Sequence, residues 1–333
     1  MPTVAVVSYR LGQADGVSVE ADKWIVALRS LGTDVFTVAG GGTADVIHPG
    51  LAFDAPSDLD PPSIDVLRAT FAEADVVIAE NICSLPMNPR AGRAVADALR
   101  GRRAVMRHHD VPWQRDRFAD WAEPLATDDA WQHVCINALT QGQLRDRGID
   151  AHLVYNHFDL SRRGNAAHAR DALGEDGLLA LQPTRAIARK NIEMSIEIAH
   201  RVGAVFWMAG AAEEDYGPTL DALLDARRVP SIRGLPDGVS IDDAYEACDL
   251  VTFPSTWEGF GNPTIESAIH RKPLVVADYP VLRELRAFGF HWYDVDSIVL
   301  DDHKALAHNY DLADRHFNLR DLPSRLKPIV LGD

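Results

Sequence analysis

Cysteine is scarce. Three occur in 333 residues (Cys83, Cys135 and Cys248), an odd number set far apart. That excludes a disulfide framework and the paired spacings of a zinc site; Cys135 and Cys248, inside apolar runs, read as reduced core thiols. Positive charge is also short: 33 Lys and Arg stand against 49 Asp and Glu, a formal net charge of −16. Such a chain is poorly suited to nonspecific contact with nucleic acid or an anionic bilayer. No apolar run approaches a membrane span, so stable membrane insertion is not expected. Met1 to Val7 reads as a strand, not a signal peptide, and the cytoplasm is the expected location. The His residues are scattered without ligand spacing, so no metal or other cofactor is expected. A full Gly-x-Gly-x-x-Gly fingerprint is missing, which disfavours a dinucleotide-dependent oxidoreductase.

One stretch runs against the acidic balance: Arg90, Arg93, Arg100, Arg102, Arg103, Arg107, Arg115 and Arg117. A solvated helix face with salt bridges is the favoured reading; a basic rim for an anionic acceptor is the alternative.

With 47% apolar and 25% charged residues the composition is globular, and 333 residues suit two domains. Short β-rich runs alternate with helical patterns. Val4–Ser8, Asp34–Ala39, Asp75–Glu80, Ala104–Arg107, Val134–Ile136 and His152–Val154 form a first strand series. Ser18 suits the cap of the helix after the first strand, and Gly32 its end. A polar stretch near 161–169 separates a second series: Leu178–Leu181, Ala204–Met208, Val229–Ile232, Leu250–Phe253 and Leu274–Val276. Such alternation predicts α/β architecture with parallel sheets. The expected division is 1–160 and 161–304, with a polar helical tail, about 305–333, packing back on the first domain.

Four constellations carry chemistry. The run from Phe253 through Glu258-Gly259-Phe260-Gly261-Asn262 to Glu266 takes a strand end through a glycine loop into a helix starting at Pro263. Asn262 suits its cap, and the helix start suits a phosphate or a sugar hydroxyl. Gln182 to Asn191 follows a strand and holds Arg185 and Lys190, five apart. Arg107-His108-His109-Asp110 follows another strand. The Gly12–Gly16 loop follows the first strand.

Together these resemble glycosyltransferase family 4, of the GT-B fold: two Rossmann-like domains with parallel sheets facing a central cleft. The family motif is Glu, seven residues, Glu, with Gly-Phe-Gly after the first; Glu258, Gly259-Phe260-Gly261 and Glu266 match it. Departures occur at Arg271-Lys272, where the family usually has Gly, and at Asp15-Gly16, where it often has two glycines. The resemblance implies a metal-independent, retaining hexosyltransferase, with donor binding in the second domain and acceptor binding in the first. Arg185 and Lys190 would stabilise the leaving diphosphate. Glu258 would hold the transferred sugar, Glu266 the ribose, and His109 would position the sugar or screen the developing cation. Gly16, Val17, Gly210, Leu235, Phe260, Gly261, Asn262 and Thr264 complete the donor candidates, Gly16 and Val17 through backbone N–H groups. His108 and Trp113 are acceptor candidates, and Trp121 and Trp131 lie nearby. Asp294-Val-Asp296 is read as a coincidental match to another glycosyltransferase fold. GDP-mannose is the favoured donor, with UDP-glucose or UDP-GlcNAc as the alternative. The acceptor is expected to be a soluble sugar, oligosaccharide or small polar molecule. An inactive nucleotide-sugar-binding homologue is the competing reading.

Overall fold

The computed structural model describes residues 1–13, 15–227 and 229–332, so Ala14 of the first glycine loop lies outside it. The chain divides into two compact units, Met1–His157 with Leu319–Asp333, and Phe158–Asn318.

The first unit holds seven parallel strands: β1 (Thr3–Leu11), β2 (Asp34–Gly42), β3 (Val46–Ile47), β4 (Val76–Glu80), β5 (Ala104–His108), β6 (Trp131–Cys135) and β7 (Ala151–Leu153). Their order is β3-β2-β1-β4-β5-β6-β7. Helices α1 (Gly16–Ser30), α2 (Ile64–Thr70), α3 (Pro89–Leu99) and α4 (Ala138–Arg145) connect them. β1 shows why both faces must be covered. Val4 and Val6 enter one apolar cluster, while Ala5 and Val7 enter the other.

The second unit runs α5 (Ala166–Leu173), β8 (Leu179–Gln182), α6 (Ile192–Val202), β9 (Val205–Met208), α7 (Gly217–Arg227), β10 (Ser231–Arg233), α8 (Ile241–Ala247), β11 (Leu250–Phe253), α9 (Pro263–Ile269), β12 (Leu274–Val276), α10 (Pro280–Ala287) and α11 (His303–Phe317). Its parallel sheet is ordered β10-β9-β8-β11-β12. A last helix, α12 (Leu322–Leu326), lies in the first unit.

Several expectations shift. Asp15, not Ser18, caps α1: its carboxylate accepts from the N–H groups of Val17 and Ser18. The polar stretch near 161–169 is not a plain linker, because Asn165 caps α5 inside it. The tail is not uniformly polar, and its return to the first unit begins at Leu319. Leu306, Leu312, Ala313 and Phe317 of α11 are buried, and Phe317 packs on Phe260, Phe288 and Phe290 within the second unit. Beyond it Leu322, Leu326 and Val330 join the β1 cluster, and Arg103 donates to the Val330 carbonyl. No described helix is long and apolar enough to cross a membrane.

Candidate functional site

In an open parallel sheet, ligands gather beyond the carboxyl ends of the strands where the strand order reverses. In the second unit β8 is that point, with β9 on one side and β11 on the other. The loops after β8 and β11 are the Gln182–Asn191 and Phe253–Glu266 segments, so topology joins the two strongest sequence signals.

The β8 loop is anchored at both ends. Ala186, Ile187 and Ile192 are buried, and Gln182 is gripped by Ser195 at 2.7 Å and Thr252 at 3.2 Å. A single 3-10 turn covers Ala188–Lys190, and Asn191 then takes a left-handed conformation (φ 51°) before α6. Asn tolerates that region better than most residues. Lys190 is thereby buried with its charge, 5% exposed, which requires a partner. Glu258, 6% exposed, supplies it at 2.5 Å on one oxygen, and Arg189 binds the other at 2.7 Å. Arg189 also donates to the Trp257 carbonyl at 3.0 Å, and its own carbonyl accepts from the Thr256 N–H at 2.9 Å. Residue 189 thus staples the β11 loop to the β8 loop. Burial favours the neutral Glu258 carboxyl, but Lys190 and Arg189 outweigh it and hold it at about 2. Burial, helped by Arg189 and opposed by Glu258, pushes Lys190 down to about 8. Both remain charged at neutral pH.

The other donor candidates separate. Glu266, partly buried on α9, accepts from the Tyr245 hydroxyl at 2.8 Å. Arg185 pairs with Glu213 at 2.5 Å. Gly210 packs so close to the Thr184–Arg185 backbone that no Cβ fits. Leu235 lies two residues beyond the end of β10. At Gly261 (φ 94°) a Cβ would strike the Tyr279 hydroxyl and the Phe253 ring, so glycine is obligatory there. Two side chains face inward, contrary to a direct donor contact through them. Phe260 is buried against Phe158 and Phe317, and Thr264 donates to the Gly261 carbonyl at 2.8 Å. Asn262 is already helical and makes no side-chain cap bond.

In the first unit the order reverses at β1 and β4. His109, just beyond β5, is 6% exposed and hydrogen-bonded through Nε2 to Glu80. His108 is not available to an acceptor. It is 1% exposed, with Nδ1 on Ser84 at 2.7 Å and Nε2 on His133 at 3.0 Å. Burial holds His108 well below the usual range and His133 at about 4. Trp113 donates to Gln143, and Arg147 lies 3.8 Å over its ring, so one stacking face is taken. Trp131 is core. At the α1 start the Val17 N–H already serves Asp15, so an anion there must displace a carboxylate, and Gly16 is exposed.

Seven of the eight arginines in the stretch are already engaged. Arg107 is buried, Arg102 and Arg103 cap carbonyls, and Arg90, Arg93, Arg100 and Arg115 pair with Asp60, Glu123, Asp97 and Asp110. Asp294 and Asp296 pair with Arg286 and Arg201. No disulfide joins the cysteines. Among the described residues no three His, Cys, Asp or Glu side chains gather as a metal site.

Sequence reasoning missed Arg189 and Tyr245. Arg189 sits one residue before Lys190, where no helical or strand periodicity puts neighbours on one face. Tyr245 meets Glu266 from another helix, 21 residues away.

Comparison with known proteins agrees with this layout. Residues 181–310 match the family described as Glycosyl transferases group 1. The chain is 25% identical to the mannosylglucosylglycerate synthase of Petrotoga mobilis, over 86% of this chain and 85% of that one. With that of Thermotoga maritima the identity is 24%, over 98% and 99%. The structure is similar to Anabaena HepE in complex with UDP and glucose, with a TM-score of 0.76 at 17% identity over 98% of each chain. The fold is that of GT-B glycosyltransferases, and the family match and the relatives support a glycosyltransferase.

Proposed function

We propose that the protein is a retaining, metal-independent hexosyltransferase that moves mannose from GDP-mannose to a hydroxyl of a small soluble sugar. The observation that carries this reading is the Lys190–Arg189–Glu258 cluster at the reversal point of the second sheet. It places two cations beside a carboxylate, the pair of charges needed for a leaving diphosphate and for sugar hydroxyls. Lys190, with Arg185 from the same loop, neutralises the diphosphate. Glu258 orients the transferred sugar, Glu266 binds the ribose diol, and His109 screens the developing cation. The mannosyl choice is supported by the two relatives, whose name is that of a synthase of mannosylglucosylglycerate. A glucosylglycerate-type acceptor is the corresponding first choice.

The test is thermal unfolding with nucleotides and nucleotide sugars, because a ligand of the folded state raises the midpoint. GDP and GDP-mannose are expected to raise it. A rise with UDP species alone moves the donor to UDP-glucose or UDP-GlcNAc, and no rise with any of them sinks the reading. Mannosyl transfer from GDP-mannose to glucosylglycerate is expected to survive EDTA; a metal-reversible loss would refute metal independence.

Tyr245 tests the ribose role without touching the carboxylate. Its hydroxyl is buried and holds Glu266. A hydrogen bond to a charged group contributes about 1.5–3 kcal/mol, so Tyr245→Phe is expected to weaken GDP binding by roughly ten- to a hundredfold. Glu266→Ala should weaken it further. Calorimetric titration measures both, and unchanged affinity in Glu266→Ala removes that residue from the ribose.

A further inference from the structure

We infer that Glu80 is a positioning residue for His109, one half of a grip that sets which ring nitrogen His109 offers to substrate. The inference rests on the proposed role of His109. Glu80 ends β4 and is fully buried. Its carboxylate accepts from Arg107 Nη1 at 3.1 and 3.2 Å and is hydrogen-bonded to His109 Nε2. The next residue, Asn81, takes a left-handed conformation (φ 60°), which Asn tolerates better than most residues. Its side-chain oxygen accepts from the His109 backbone N–H at 3.1 Å, and its own N–H donates to the Arg107 carbonyl at 2.9 Å. Two consecutive residues therefore hold His109 by ring and by backbone.

The charges around this grip are arranged to keep Glu80 ionised. Burial alone would raise its carboxyl, but Arg107 and His109 outweigh it and hold it below the ordinary range. Arg107 is itself fully buried, lies 4.2 Å from the Trp24 ring and faces Glu20 at 3.7 Å, while Lys23 pairs with Glu20 at 2.6 Å. An ionised carboxylate can only accept, so His109 Nε2 must carry the hydrogen. In the neutral ring Nδ1 is then the unprotonated nitrogen, left for a substrate. His108 next door has no such asymmetry: a hydroxyl and a second imidazole occupy its two nitrogens.

Two measurements decide. The first is the ring-nitrogen spectrum of His109 in the full-length 15N-labelled protein, assigned by loss of the signal in His109→Ala. A neutral ring protonated at Nε2, or an imidazolium, is expected; a neutral ring protonated at Nδ1 overturns the inference. The second is turnover with GDP-mannose and glucosylglycerate, well below the unfolding midpoint. Glu80→Gln is expected to lower kcat by at least about tenfold, less than the roughly 10²- to 10⁴-fold of a positioned acid–base group because His109 itself remains, with the donor KM within threefold. Glu20→Gln loosens the same Arg107 without touching His109 and should keep kcat within threefold. The double variant His109→Ala/Glu80→Gln should be no slower than His109→Ala, because residues acting as a unit are not additive. Equal losses in Glu80→Gln and Glu20→Gln, or additive losses in the double variant, reduce Glu80 to a structural charge and overturn the inference while leaving His109 in place. Wild-type turnover in His109→Ala instead removes the proposed role of His109, and the positioning role of Glu80 with it.

Discussion

Lys190→Met is expected to lower kcat for sugar transfer by on the order of 10²- to 10³-fold, the loss seen when one preorganised donor to a developing negative charge is removed. The reason lies in what holds Lys190 where it is. The residue is 5% exposed, and its ammonium lies 4.9 Å from the Phe253 ring centre and 2.5 Å from Glu258. A charge fixed in so dry a place costs little reorganisation when a diphosphate gains charge beside it, and it is screened less than a surface lysine. Methionine keeps the apolar stem and volume, and Arg189 still holds one Glu258 oxygen, so the site should remain assembled. The fall should therefore lie in kcat more than in the affinity for the free nucleoside. A second signature follows from the lowered value of about 8. In the free enzyme Lys190 loses its proton as pH rises through about 8, so kcat/KM should fall about tenfold per pH unit above it. Lys190→Met should lack that limb. Turnover within threefold of wild type would remove Lys190 from the chemistry.

Much of this arrangement was legible in the sequence, for a physical reason. Parallel strands buried on both faces are continuous apolar runs, so Leu250–Phe253 and Leu274–Val276 announced themselves to the residue. Loops that must carry charge from a buried strand end stand out by contrast, and Lys190 and Glu258 did so. What failed to show were contacts made by folding alone. Glu80 reads as the last residue of a strand, and only the register of β4 against β5, Glu80 opposite Arg107, brings it beside the His109 turn. Asp15 capping α1 ahead of Ser18 is a choice between two good cap residues three positions apart. Phe260 sits in a motif read for its ligand, yet its ring serves the core that α11 closes. Motif residues and core residues alternate within a few positions there, and no periodicity separates them.

Glu258→Gln is expected to destabilise the protein at neutral pH by about 3 kcal/mol and to abolish transfer, and the two effects separate by pH. Glu258 stands at about 2 in the folded protein against an ordinary 4.5, because Lys190 and Arg189 outweigh its burial. The folded state thus binds that proton less readily than the unfolded chain. A difference of this size corresponds to about 3 kcal/mol, fully present above pH 4.5 and lost progressively as pH falls toward 2. Glutamine keeps the shape but carries no charge, so this contribution is absent at every pH. It also strips Lys190 of its counter-charge, and the buried amine then sheds its proton more readily. Denaturant unfolding of both proteins from pH 7 down to pH 3 measures the difference. The gap between the curves should be widest at pH 7 and close through the window from 4.5 toward 2, with Glu258→Gln the flatter. A constant gap would mean that the carboxylate is not held by its two cations, and the site would have to be rebuilt around a Glu258 free to protonate.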